Sequence, residues 1–528
     1  MFLVRLFLIN IFVIVMAGCT ESADSDRDYR SEIASTIITS AEGDNSIYIP
    51  TIELPSSGDG ETYEKITDNP FISTVGEGAL STFSIDVDTA SYSKVRQHIN
   101  MWQQLPNPDA VRIEEMINYF NYDYKNSDET IKIFSETGKA FWHSENLLLK
   151  TGLKAKELDT DSIPDSNLVF LIDTSGSMSD SLPLIQNSIK LLLENLTSKD
   201  SLSIITYAGS TEVLLPATRV TTENRKTVID AIDSLTTWGG TYGESGINLA
   251  YSEANRNFIE DGNNRIILIT DGDFNIGTSD TDELEDLIAE KRESGVFLTV
   301  LGMGWGNYRD DVAERLADKG NGNYFYIDSL LEAKKVLINQ LNSTLYTVAK
   351  DVKIQVEFNP KFVKEYRLIG YENRLLANED FTDDKKDAGE IGAGHTVTAL
   401  YEIAPTDEIL SSSLKYQESQ LSESGNSDEV ATIRVRYKEP NGNSSKEIEQ
   451  TIKYSSDSEN SNDFKLVSAV ASFGMTLRDS PYRGETDYNR IIDIAKESKG
   501  EDIYGYRAEF IKLVENVDLI TKVKDIQE

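Results

Sequence analysis

The chain has 528 residues, enough for several domains. Its 89 acidic and 51 basic residues give a formal net charge of −38, with one cysteine and three histidines. That balance argues against nucleic acid or anionic headgroups as partners and favours divalent cations and basic surfaces, and a lone cysteine excludes an intrachain disulfide.

The chain opens with the layout of an export signal. Arg5 supplies a short basic start, Leu6 to Met16 is an apolar run interrupted by Asn10, and Ala17 and Gly18 place small residues before Cys19. The run is shorter than the roughly 20 residues that span a bilayer. Val15-Met16-Ala17-Gly18-Cys19 resembles the lipobox of bacterial lipoproteins, with Met16 where Leu is usual. The resemblance implies a signal peptide over 1–18, cleavage before Cys19, and acylation of that cysteine, palmitate included, as a membrane anchor. Thr20 in place of Asp implies sorting to the outer membrane of a double-membrane bacterium.

Residues 19–74 are rich in Ser, Asp, Glu, Gly and Thr and read as a disordered tether. An α+β extension over 75–128 follows. Ser81–Asp88 alternates as a strand, and Ala90–Leu105 and Ala110–Phe120 have helical periodicity. Asp86 and Asp88 are expected on a solvated strand edge. Strands at Ile131–Phe134 and Asn146–Leu153, within 129–165, are expected to pair with a later β unit.

Over 166–347 strands and helices alternate. The apolar strand Asn167–Ile172 runs into Asp173-Thr174-Ser175-Gly176-Ser177, and a helix over Leu182–Leu196 follows. Further strands are predicted at Ser201–Tyr207, Glu212–Leu215, Arg265–Thr270, Val296–Leu301 and Tyr324–Ile327. Helices are predicted near Glu223–Leu235, Glu244–Asn255, Glu283–Glu293, Asp310–Lys319 and Leu330–Tyr346. Short apolar strands separated by helices mean an α/β domain with a doubly wound, mostly parallel sheet covered on both faces.

The turn after the first of these strands carries one carboxylate and two hydroxyls at the carboxyl end of a strand, where open α/β sheets bind ligands. Alone, it suits a hard divalent cation or a helix cap equally. Gly239-Gly240-Thr241 and Asp271-Gly272-Asp273 fall at the same edge of the sheet. Asp173, Ser175, Ser177, Thr241 and Asp271 can therefore meet as an all-oxygen set with two formal negative charges, leaving room for water and one outside ligand.

Asp173-x-Ser175-x-Ser177 with Thr241 and Asp271 resembles the metal-ion-dependent adhesion site (MIDAS) of von Willebrand factor A (VWA) domains. The resemblance implies Mg²⁺ or Mn²⁺ at the site. Ser175, Ser177 and Thr241 would ligate through their hydroxyls, Asp173 and Asp271 often through water. It also implies an open position that takes an Asp or Glu carboxylate from a protein partner. Trp238, Trp305 and Asp273 lie in loops on this side as candidates for the ligand-facing surface. Asp273 and Asn275 are read as part of a supporting loop, because Ile276 stands where a calcium-binding EF-hand needs Gly. The central domain has no His, no Cys and no phosphate-binding Gly-Lys loop, so a binding module rather than an enzyme is expected.

Residues 348–460 read as a mostly antiparallel, sandwich-like β unit with strands at Val352–Phe358, Tyr366–Tyr371, His395–Ile403, Ala431–Tyr437 and Glu447–Tyr454. If it shares strands with 129–165, the α/β domain is an insertion in it. Residues 461–528 read as helices whose apolar stripes are expected to pack on their own domain. Ser84–Tyr122 and Val352–Pro405 look like the N- and C-terminal extensions of bacterial A-domain lipoproteins. The expected function is metal-dependent protein binding by a lipid-anchored protein of the cell envelope. The alternative is a structural or assembly scaffold whose metal site is not essential.

Overall fold

The computed structural model describes residues 61–158, 163–240, 243–272, 281–304, 308–386, 388–406, 429–440, 442, 444–454 and 459–527. The chain begins with β1 (Ile72–Ser73), β2 (Leu80–Ser84), α1 (Ala90–Met101), α2 (Ile113–Asn118), β3 (Ile131–Lys139) and β4 (Leu147–Ala155). The α/β unit comprises β5 (Ser166–Asp173), α3 (Leu182–Leu193), β6 (Ser201–Tyr207), β7 (Thr211–Arg219), α4 (Arg225–Asp233), α5 (Gly243–Arg256), β8 (Asn263–Thr270), α6 (Thr281–Arg292), β9 (Phe297–Gly302), α7 (Asp310–Lys319), β10 (Tyr324–Tyr326), α8 (Leu330–Lys334) and α9 (Leu341–Leu345). Then come β11 (Thr347–Phe358), β12 (Val363–Ile369), β13 (Gly389–Gly392), β14 (Thr396–Pro405), β15 (Glu429–Lys438), β16 (Ser445–Lys453), α10 (Asn462–Leu477), α11 (Tyr488–Glu497) and α12 (Tyr506–Gln527).

The central sheet has the order β10-β9-β8-β5-β6-β7. Its neighbours are parallel except for the antiparallel β6–β7 hairpin. Every residue of β5 is buried, as an unbroken apolar run in a doubly covered sheet requires. Leu168, Phe170 and Ile172 pack with α3 and α4, while Val169 and Leu171 pack with α5, α6 and α7 on the other face. The helix predicted over Leu330–Tyr346 is interrupted. A π turn over Lys335–Asn339 separates α8 from α9. The ammonium of Lys335, fully buried there, lies 3.3 Å from the centre of the Tyr119 ring.

Two antiparallel sheets, β1-β12-β14-β4-β3 and β13-β11-β15-β16 with β2 added on β11, face each other. Ile133, Leu149, Leu153 and Tyr401 from the first meet Ile354, Val356 and Ile433 from the second in one core. The α/β unit leaves this sandwich after β4 and returns to it at β11.

Two expectations are corrected. The C-terminal helices do not pack among themselves alone. Val467, Val470 and Phe473 of α10 and Phe510 and Val514 of α12 share a core with Val95 and Ile99 of α1 and with Ile113, Met116 and Ile117 of α2. The wide apolar stripe of α10 exceeds what the short α11 can cover. Asp86 and Asp88, expected at a solvated edge, are each 4% exposed. Arg374 reaches both carboxylates at 3.5 Å, as well as Glu314 and Asp318 on α7. Burying charge is tolerated only with such pairing, and here the partner of Asp88 lies 286 positions away.

Similar buried pairs tie α1 and α2 to the α/β unit. Arg96 meets Asp328 at 2.6 Å and Glu332 at 2.8 Å. Arg112 meets Asp310 at 2.8 Å and Glu314 at 2.7 Å.

Candidate metal-binding site

β5 delivers Asp173 at its last position, fully buried at the carboxyl edge of the sheet. The turn that follows is stitched to its neighbours through the backbone. Thr174 N–H donates to the Tyr207 carbonyl at 2.9 Å, and Trp238 N–H donates to the Thr174 carbonyl at 2.8 Å. Gly176 N–H donates to the Gly239 carbonyl at 3.3 Å, which draws the Trp238–Gly240 loop against the turn.

Within the turn, Ser175 N–H donates to Oδ1 of Asp173 at 2.8 Å. The Ser175 and Ser177 hydroxyl oxygens are 3.1 Å apart, and Ser177 donates to Oδ2 of Asp271 at 2.5 Å. Asp271 arrives directly after β8, two strands of one parallel sheet thus aiming their carboxyl ends at the same point. The capping alternative is not realised. Ser175 precedes a 3₁₀ turn over Gly176–Asp180 without a side-chain cap bond, and α3 starts only at Leu182.

Burial, and then the negative charge of Asp271, push the Asp173 carboxyl up to about 7, against the lowering effect of its bonds to Ser175. Oδ2 of Asp173 is buried without a well-formed hydrogen bond, beside the Tyr207 hydroxyl. Two neighbouring carboxylates, two hydroxyls and an under-satisfied buried oxygen fit a hard divalent cation, which offsets both the desolvation and the mutual repulsion. Among the described residues no group of three or more His, Cys, Asp or Glu could hold a metal, so the described part of this site combines its two carboxylates with the serine hydroxyls.

The structure thus brings Asp173, Ser175, Ser177 and Asp271 together. Thr241, Asp273, Asn275, Trp305 and Cys19 lie outside the described residues. Trp238 is half exposed on its loop beside the turn.

Sequence reasoning missed the support behind Asp271. Gly304 has φ +105°, and a Cβ there would stand 3.1 Å from Cβ of Asp271. The Tyr326 hydroxyl donates to the Gly304 carbonyl, and the Lys94 ammonium of α1 lies 4.4 Å from the Tyr326 ring centre and 4.7 Å from that of Tyr308. The glycine-rich run Gly302-Met303-Gly304 hinted at a close approach, but nothing local marked Lys94 as its neighbour.

The sheet order, with this turn at its carboxyl edge, defines a von Willebrand factor type A domain protein. The family profile described as von Willebrand factor type A domain matches residues 167–340, and one described as von Willebrand factor matches residues 57–150. A third, described as Uncharacterized protein YfbK, C-terminal, matches residues 343–520. The chain belongs to the family of the Uncharacterized protein YfbK of Escherichia coli (strain K12), to which it is 43% identical over 474 residues, 87% of this chain and 82% of that protein. It is also 27% identical over 209 residues to the Inter-alpha-trypsin inhibitor heavy chain H2 of Homo sapiens, 38% of this chain and 21% of that one. Among solved structures, von Willebrand factor type A from Catenulispora acidiphila aligns with a TM-score of 0.40 and 14% identity, over 73% of this chain and 91% of that chain.

Proposed function

We propose that the chain binds a protein partner through Mg²⁺ or Mn²⁺ held by Asp173, Ser175, Ser177, Thr241 and Asp271, as a binding module and not an enzyme. We further propose that it acts from a lipid anchor on Cys19, at the outer membrane of a bacterial cell envelope. VWA domains commonly mediate protein–protein interaction, and membership of that family supports the coarser half of this reading. The observation that carries the finer half is the convergence of Ser175, Ser177 and Asp271 on one point, with the buried carboxylate of Asp173 behind them.

The bound cation supplies an electrophilic position for an Asp or Glu carboxylate of the partner. The chain's own residues do the rest. Asp173 holds the turn closed through Ser175 N–H, the two serines present oxygen lone pairs, and Asp271 adds the second negative charge. Trp238, exposed on the adjoining loop, gives a partner an aromatic contact.

The test is calorimetric titration of the EDTA-stripped full chain with MgCl₂ and MnCl₂. Binding is expected for the wild type and is expected to vanish in Asp173→Ala and Ser177→Ala. Metal binding that survives both substitutions overturns the reading. Partner retention unchanged in EDTA points instead to a scaffold. For the anchor, palmitate labelling that persists in Cys19→Ala rules it out.

A further inference from the structure

A cavity of about 470 Å³ is lined by none of the residues of the candidate metal site. It opens where the segment after α2, the end of β4, the segment after α3, the π turn and α9, and the β13–β14 turn come together. Its volume falls within the range of small-molecule sites, roughly 300–1,000 Å³.

The chemistry of its wall is specific. His395 lines it at 8% exposure, and its ring has no hydrogen-bond partner among the described residues. Burial, and then the nearby Lys335 charge, hold its pKa down at about 4. The ring is therefore neutral at ordinary pH, one nitrogen donating and the other accepting. Gln340 adds a buried Oε1 without a partner. Asn121 and Asn195 add carboxamides whose side chains make no hydrogen bond among the described residues. Each carboxamide likewise offers donors and an acceptor. The charged groups of the wall, Lys154 and Glu157, pair with each other at 3.2 Å.

We propose that this cavity is a binding site for a neutral, hydroxyl-rich ligand of the size of a mono- or disaccharide. A sugar hydroxyl both donates and accepts, and so matches a wall in which every unpartnered group also does one or both. A charged ligand meets no unpaired opposite charge among the described lining residues. Of these groups Gln340 Oε1 is buried without a partner, and an unpaired buried polar atom is costly, so a polar occupant that reaches it is favoured, while Asn121 and Asn195 stand exposed at the rim. Because the wall is contributed by the N-terminal extension, the sandwich and the last helical turns of the VWA domain, an occupant ties these three together.

The test uses the full chain in EDTA, so that the outcome is independent of the metal site. Glucose, maltose, N-acetylglucosamine and N,N′-diacetylchitobiose are screened by saturation-transfer NMR and thermal shift, with glucose 6-phosphate and triglycine as controls. Saturation transfer to at least one neutral sugar, with a raised melting temperature, is expected. Affinity is expected to fall about tenfold or more in Asn195→Leu and in His395→Phe, because each removes hydrogen bonds a hydroxyl would use. Asn195 is exposed, so its variant keeps the core intact and decides the matter if His395→Phe fails to fold. No transfer to any neutral sugar, a response confined to the phosphate or the tripeptide, or unchanged affinity in Asn195→Leu overturns the proposal.

Discussion

The hydroxyl of Ser177 donates to Oδ2 of Asp271 at 2.5 Å across 94 positions of sequence. The two loops of the candidate site are therefore linked directly by a side-chain hydrogen bond. In EDTA, Ser177→Ala is expected to lower stability by only about 1 kcal/mol, the usual net value of one hydrogen bond. In excess Mg²⁺ the gap should widen, because a ligand at 100 times its Kd stabilises the competent protein by about 2.7 kcal/mol. Urea unfolding of both proteins with and without metal checks this.

Gly304→Ala should weaken metal binding without contacting the metal. At φ +105° a side chain is strained on the order of 1–3 kcal/mol, and its Cβ would press on Cβ of Asp271 at 3.1 Å. The expected result is a several-fold loss of Mn²⁺ affinity with a retained fold, read by titration calorimetry beside circular dichroism.

Arg112 is a keystone of the junction between α2 and α7. It is 2% exposed and holds Glu115, Asp310 and Glu314 at once. Arg112→Ala leaves three buried carboxylates without their shared cation, and breaking a buried pair in this way costs about 3–5 kcal/mol. Guanidinium unfolding is expected to show that loss. Arg112→Lys should recover little of it, since an ammonium lacks the forked geometry that reaches several carboxylates.

Glu114 should make stability fall with rising pH. Burial, and then the charges of Glu372 and Asp86, push its carboxyl from 4.5 up to about 8. Between those values the fold keeps a proton that the unfolded chain has released, so the fold binds more protons and loses stability as pH rises through that window. Glu114→Gln is expected to flatten the slope between about pH 5 and 8, and to stabilise most at its upper end. Chemical denaturation at stepped pH measures the slope.

The α/β unit should fold when expressed alone as residues 163–346. Among the described residues, its two cores take only Ala90 and Ala393 as buried members from the rest of the chain. Excision also returns Asp310, Glu314 and Glu332 to water, which relieves their desolvation. A cooperative melt is expected, and an unfolded product would show that the extensions are obligatory.

The alternation of strand and helix, and with it the α/β class, was readable because each strand is a local apolar run. Ser201–Tyr207 and Asp310–Lys319 begin and end in the structure where periodicity placed them. The candidate site was readable for a similar reason. Asp173, Ser175 and Ser177 are close in sequence, and parallel strands send Asp271 to the same edge. The support of Gly304 by Tyr326 was not readable, because it depends on the pairing of β10 beside β9, and Lys94 reaches the Tyr326 ring only through packing of α1 on the α/β unit.

The sequence by itself determined the order of the elements, the doubly covered sheet and the carboxylate–hydroxyl turn, all of which follow from local hydrophobic period and turn chemistry. Tertiary structure alone decided which charges are buried. Asp86 and Asp88 look like surface residues until Arg374 is brought to them, and α10 looks self-sufficient until α2 covers it. It also decided that His395, a strand-end residue by sequence, lines a neutral polar cavity. The physical reason is the same in each case. The energy of a charge or a hydrogen bond depends on the dielectric and the partners around it, and contacts between distant segments set both.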